Sequence, residues 1–201
     1  MKRVLCFGDS NTYGYAPYDG RYAADARWPG CLAARLGPGW QVIEAGLNGR
    51  TAGAYDALWP EKNGAAVLPA YLRRYQPLHW LIVMLGGNDA LSAPAGDIAA
   101  DMETLLQAAR QHAPGCAVLL LAPPAPQNDA WCGEAVRGLP PLYQALAARY
   151  GARFADTNAW QPALAADGCH LAPAGHRAFA ARLAAILLDA ASDYDKISRQ
   201  R

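Results

Sequence analysis

The chain has 201 residues, 53% hydrophobic and 17% charged, with 18 basic and 17 acidic side chains and a formal charge of +1. That length predicts one domain with a full core, and the composition excludes a disordered or tail-like chain. The balanced charge, with basic residues concentrated only at Lys196 to Arg201, gives no footprint for nucleic acid.

We expect residues 1–190 to form the domain and 191–201 a polar C-terminal tail. Lys2 and Arg3 precede an apolar run of four residues, against roughly 7–15 in a secretory leader. No apolar span approaches the ~20 residues of a membrane helix, so no membrane partner is expected. Cys6, Cys31, Cys116, Cys132 and Cys169 are scattered and lack a CxxC pair. They read as reduced thiols of a cytoplasmic protein, with no metal site.

Along the chain, four apolar runs have strand character: Val4–Phe7, Val42–Ala45, Leu81–Leu85 and Ala117–Ala122, with a weaker fifth at Arg153–Ala155. "WLIVMLG" and "AVLLLAPP" are continuously apolar, as in strands covered on both faces. Between them lie helical patterns. "RWPGCLAARLG" stops at Gly37, and "AAVLPAYLRRY" holds Pro69 near its start or at a kink. In "GDIAADMETLLQAARQHAPG", Ile98, Met102, Leu105, Leu106 and Ala109 make one stripe, with Asp97 as candidate cap. "AVRGLPPLYQALAARYG" and "APAGHRAFAARLAAILLDAA" follow. Alternating strands and helices predict an α/β class fold: a three-layer α/β/α sandwich on a mainly parallel five-stranded sheet with flavodoxin-like winding. Ligands of such sheets lie beyond the carboxyl ends of the strands.

The residues following each strand are therefore the candidates. They are Gly8-Asp9-Ser10-Asn11, "GLNGRT" (Gly46–Thr51), "GGND" (Gly86–Asp89) and "PPAPQND", with "DGCHLAPAGH" before the last helix. Each alone is ordinary turn chemistry. Together they offer acyl transfer. A serine hydroxyl needs a base to become a nucleophile, and a histidine base needs a carboxylate to fix its tautomer. Ser10, His170 and Asp167 supply these groups. The N–H groups of Ser10 and Gly49 and the amide of Asn88 are candidate donors for an oxyanion hole.

These motifs resemble the GDSL-type, or SGNH, hydrolase family. "GDSN" is similar to its first block, although Asn11 replaces the eponymous Leu. "AGLNGRT" resembles the second, with Gly49 as the oxyanion glycine, and "GGND" the third, with Asn88 as the oxyanion asparagine. "DGCH" is a D-x-x-H block carrying Asp167 and His170. "RWPGCLAARLG", "EAGLNGRTA" and "LAPPAP" resemble the short, leaderless bacterial arylesterase and acyltransferase branch. The resemblance implies an esterase acting on short acyl esters of small molecules, no cofactor or metal, and a homo-oligomer.

Asn11 is expected at the pocket wall or in a local hydrogen bond, and Trp28 and Trp131 are candidate substrate-binding residues with core or interface as their alternative. Asp9 is expected to brace its loop, and Asp89 to support the site or cap a turn. His79, His112 and His176 read as structural or solvated, and Cys169 as a packed small side chain. No G-x-G-x-x-G or Walker lysine is present, and no G-x-S-x-G surrounds Ser10. Two alternatives stay open: a carbohydrate O-acetyl esterase, and a non-catalytic flavodoxin-like domain binding FMN or a nucleotide.

Overall fold

The computed structural model describes residues 1–54, 58–127 and 133–198, with side chains through residue 190. Its elements in chain order are β1 (Lys2–Gly8), α1 (Ser10–Tyr13), β2 (Tyr15–Ala16), β3 (Gly20–Arg21), α2 (Trp28–Leu36), β4 (Trp40–Gly46) and α3 (Gly64–Arg74). Then come β5 (Trp80–Met84), α4 (Ala95–His112), β6 (Ala117–Ala122), α5 (Gly133–Arg137), α6 (Leu139–Tyr150), β7 (Arg153–Asp156) and α7 (Pro173–Ser198). Short 3₁₀ turns cover Pro60–Lys62, Asp89–Leu91 and Thr157–Trp160.

The main sheet has five strands in the order β4-β1-β5-β6-β7, and every neighbouring pair is parallel. This is the winding expected for a flavodoxin-like sheet, with the order reversing beside β1. Strand alternation feeds two cores. Leu5, Phe7, Leu81, Val83 and Leu120 face one layer, where they meet Leu68 and Leu72 of α3, Met102 and Leu105 of α4, and Tyr143 of α6. Val4, Cys6, Ile82, Met84 and Leu121 face the other, against Leu32 of α2 and Phe179, Leu183 and Leu187 of α7. The continuous apolar runs in the sequence follow from this burial on both faces.

β1, β4 and β7 extend the predicted runs by one or two residues at their ends, β6 has the predicted bounds, and β5 starts and ends one residue earlier than predicted. Gly37, with φ +75, ends α2 as expected. One local expectation changes. Pro94 precedes α4, so Asp97 lies in its first turn instead of capping it. The carboxylate still sits where the N-terminal amide dipoles favour negative charge. The backbone of α7 stays helical beyond residue 190 to Ser198. The small hairpin β2–β3 had no sequence counterpart. Among the described residues, no helix is long and apolar enough to cross a membrane.

The register of the sheet brings three strand ends to one level. Gly8 is opposite Gly46 of β4 and Met84 of β5. Glycine is required at the first two of these positions. A Cβ on Gly8 would strike the Thr12 hydroxyl and the Met84 carbonyl, and one on Gly46 would strike the backbone of Thr12 and Tyr13. The missing side chains let α1 lie directly on the ends of β1 and β4.

His176, in the first turn of α7, is fully buried. Its Nδ1 accepts the Trp28 backbone N–H at 3.2 Å, which places the ring proton of the neutral form on Nε2. Tyr22 packs against the ring edge-on at 5.5 Å. Burial, reinforced by the charge of Arg27, pushes the imidazole down to about 4. An unfolded histidine titrates near ~6.5, so the neutral ring stabilises the fold fully above that pH. This contribution, about 3 kcal/mol, is lost as the pH falls from ~6.5 toward 4. Asp9 works oppositely, because burial raises its carboxyl to about 6 and protonation relieves it. A single variant therefore isolates the histidine. In urea titrations, the stability of wild type relative to His176→Asn should fall between pH 6.5 and 4. A difference independent of pH would contradict this assignment.

Candidate active site

Ser10 is the first residue of α1, immediately past the end of β1. Asp9 caps that turn, its carboxylate accepting the Asn11 N–H at 2.9 Å. Gly14, with φ +81, ends the turn after Tyr13. The serine is thus held at a helix start on the carboxyl rim of the sheet, at the point where strand order reverses.

From the far end of the chain, the loop before α7 brings in the other two groups. His170 Nδ1 lies 2.7 Å from Asp167 Oδ2, and His170 Nε2 lies 3.0 Å from Ser10 Oγ. Asp167 Oδ1 accepts the N–H groups of Cys169 and His170, both at 3.0 Å. Burial raises the Asp167 carboxyl, but these two N–H groups and the imidazole outweigh it, and the net shift is downward. The carboxylate therefore stays ionised behind the ring, holding the proton on Nδ1 and leaving Nε2 free to accept from the serine. Tyr15 of β2 packs on the imidazole at 4.6 Å between centroids, so the β2–β3 hairpin buttresses the histidine ring.

The second and third loops are tied to each other and to the sheet. Arg50 is 2% exposed, and its Nη1 donates to the carbonyls of Gly8 and Ala45 at the ends of β1 and β4. Its guanidinium lies over the Phe7 ring at 4.3 Å. Asp89 is also buried, and accepts the backbone N–H groups of Ala52 at 2.9 Å and Gly53 at 3.2 Å. It therefore clamps the second loop to the third, in addition to starting a 3₁₀ turn. Asn88 Nδ2 donates to the Arg50 carbonyl at 2.9 Å. One amide hydrogen fixes the side chain and the other remains for a ligand. None of the described residues accepts the N–H of Ser10 or of Gly49. Gly49 has φ +74, a conformation that favours glycine.

A cavity of about 90 Å³ opens here. Ser10, Asn11, Asn88 and His170 line it on one side, and Leu91, Pro123, Pro124, Pro126 and Val136 provide apolar walls. Asp9 and Cys169 also border it. Burial lifts the Cys169 thiol to about 11, so it stays protonated near neutral pH and does not act as a nucleophile there. Asp167 sits behind the histidine, and Gly49 does not line the cavity; it lies on the loop after β4 that Arg50 anchors.

Of the sequence candidates, the structure thus gathers Ser10, Asn11, Asn88, Asp167 and His170. Trp28 is a correction. It is fully buried in the core beneath the opposite face of the sheet, against Phe179, and does not border the cavity. An indole wholly enclosed by α2 and α7 has no surface to offer a substrate. Trp131 lies outside the described residues. Asn11 is 8% exposed, and its hydrogen bond is not local: Oδ1 accepts the Leu171 N–H at 2.8 Å. Sequence reasoning passed over Arg50 and Tyr15. A lone arginine within "GLNGRT" was a usable signal, whereas nothing in the sequence separates Tyr15 from the other tyrosines.

Residues 6–178 match the GDSL-like lipase/acylhydrolase family. Among solved structures, the chain is similar to an aryl esterase of M. smegmatis, with 33% identity and a TM-score of 0.86 over 94% of this chain and 99% of that one. A carbohydrate acetylesterase from Sinorhizobium meliloti is 30% identical, with a TM-score of 0.86 over 94% and 99%. A second S. meliloti structure, described as a carbohydrate acetylesterase family member, is 35% identical, with a TM-score of 0.83 over 93% and 97%. Comparison with curated proteins gives no match. A family match across most of the chain, on an all-parallel sheet whose rim carries the serine, histidine and aspartate in contact, makes the chain a member of the GDSL-like lipase/acylhydrolase family and a carboxylic ester hydrolase.

Proposed function

We propose that the protein hydrolyses short-chain carboxylic esters, aryl or alkyl, through an acyl-serine intermediate on Ser10. The single observation carrying this reading is the continuous contact from Asp167 through His170 to Ser10, at 2.7 and 3.0 Å. His170 Nε2 takes the Oγ proton as Ser10 attacks the ester carbonyl. Asp167 stabilises the imidazolium that forms. The N–H groups of Ser10 and Gly49 and the free amide hydrogen of Asn88 bind the oxyanion. His170 then protonates the leaving alkoxide. In the second half it activates water, which attacks the acyl-enzyme and regenerates Ser10. An alcohol in place of water gives acyl transfer, which we include in the proposal.

The size of the cavity supports a short acyl group. At about 90 Å³, with proline, valine and leucine walls, it suits a few carbons. Pockets for drug-sized ligands span roughly 300–1,000 Å³. The leaving group faces fewer constraints, so a carbohydrate O-acetyl ester is a second reading, favoured by the similarity to the S. meliloti acetylesterases. The flavodoxin-like binding module is not retained, since it leaves the Asp167–His170–Ser10 contact without a purpose.

The cytoplasmic compartment belongs to the same proposal, supported by free thiols at Cys6, Cys31, Cys116 and Cys169. So does self-association, supported by Leu91, 58% exposed at the cavity rim. A monomeric mass in light scattering would contradict the latter.

A fluorophosphonate probe should label wild type on Ser10, and Ser10→Ala should lose both labelling and esterase activity while remaining folded. Persistent labelling in that variant would remove Ser10 from its role. Asn88→Ala should lower kcat by about 10²–10³-fold; an unchanged kcat would exclude Asn88 as an oxyanion donor. Across p-nitrophenyl esters, turnover should fall from acetate to octanoate, and a preference for octanoate would contradict the short-acyl assignment. Acetylated sugars assayed beside them separate the two ester classes, and added alcohol reports acyl transfer by the ester it forms.

A further inference from the structure

Asn11 departs from the family motif, and its environment gives the departure a use. The residue follows Ser10 in the first turn of α1 and is 8% exposed. Its backbone N–H donates to Asp9 Oδ1 at 2.9 Å, which fixes it to the capped turn. Its side-chain Oδ1 accepts the N–H of Leu171 at 2.8 Å, and Leu171 is fully buried. A backbone N–H needs an acceptor, so the amide must present oxygen to it.

Leu171 directly follows His170. The preceding N–H groups, of Cys169 and His170, are taken by Asp167 within the same loop. The His170 carbonyl accepts from Ala165, also on this segment. These bonds shape the loop but do not locate it relative to the serine. The Asn11–Leu171 bond does. It is a second tie, beside the Ser10–His170 contact itself, between the turn carrying the serine and the loop carrying the histidine. Both partners are buried, so water does not compete for the bond, and its loss leaves a buried donor unsatisfied.

We infer that Asn11 is a positioning residue: by accepting the Leu171 N–H it sets the distance and angle between Ser10 Oγ and His170 Nε2. The inference rests on the acyl-serine reading above. The leucine of the family motif has the same branching but no acceptor. Asn11→Leu therefore removes the tie while keeping an apolar body of similar size. Aspartate retains an oxygen at the acceptor position.

The test compares wild type, Asn11→Leu, Asn11→Ala and Asn11→Asp, each checked for folding by circular dichroism. Readouts are kcat and KM on p-nitrophenyl acetate, the rate of fluorophosphonate labelling, and the downfield proton resonance of His170 Nδ1–H. Misplacement by a fraction of an ångström to an ångström costs about 10–100-fold in rate, so Leu and Ala should lower kcat and labelling to that extent. KM should change little. The Nδ1–H resonance should persist, because Asp167 and His170 share one loop. Aspartate should recover most of the rate. Wild-type kcat and labelling in both Leu and Ala variants would overturn the inference, as would Asp being no better than Leu. Loss of the Nδ1–H resonance in the Leu and Ala variants would also overturn it, since the loop itself would then have been disrupted. Should wild type fail to label at Ser10, the acyl-serine reading fails, a result distinct from any of these.

Discussion

The register of three parallel strands governs what the rim of this molecule can do. Gly8, Gly46 and Met84 stand side by side, so the segments leaving β1, β4 and β5 start at one level. A shift of one residue in either pairing would turn every side chain of a strand to the other face. With Leu5 and Phe7 packed in one core and Val4 and Cys6 in the other, such a shift would exchange large residues for small ones in two filled layers. The apolar cores thus fix the height of the serine, the glycine loop and the asparagine on the rim.

Polar bonds then set the fine geometry. Arg50 ties the carbonyl ends of β1 and β4, Asp89 holds the second loop by its backbone, and Asn88 leans on the Arg50 carbonyl. Each is a buried or half-buried polar group satisfied largely by main chain, so its position follows the sheet and not a flexible partner. Such groups cost desolvation, which their hydrogen bonds offset. What results is a set of donors oriented before any ester arrives, the arrangement in which electrostatic stabilisation is most effective. The histidine is handled differently. Its carboxylate partner lies three residues earlier on the same loop, so ring orientation is local, and only the placement of that loop depends on distant contacts.

Much of this was legible in the sequence because strand burial and loop chemistry are local signals. Continuous apolar runs marked β1, β5 and β6, and Gly, Asn, Asp and Ser directly after them marked the rim. Ser10 and Asn88 could be named because each sits within a few residues of such a strand end, and Asp167 and His170 because they form a D-x-x-H pair on one loop before the last helix. What stayed hidden is long-range. The partner of Asn11 is 160 positions away, and no pattern in either segment points to the other. Arg50, passed over in the sequence, fills a site between two strands and an aromatic ring, which only the packing shows. Trp28 was readable as pocket or core alike, since an indole at the start of an amphipathic helix suits both, and only the packing of α2 on α7 decides. The hairpin carrying Tyr15 has strands of two residues, too short for alternation to register.

The central claim is that ester cleavage passes through an acyl group on Ser10. Rapid acid quench of the enzyme with p-nitrophenyl acetate, followed by peptide mass spectrometry, measures this directly. An acetyl group on Ser10, formed and lost at rates consistent with turnover, is the expected result. Steady turnover with no acetylated peptide under conditions that slow deacylation, or acetyl carried on another residue such as Cys169, would contradict it.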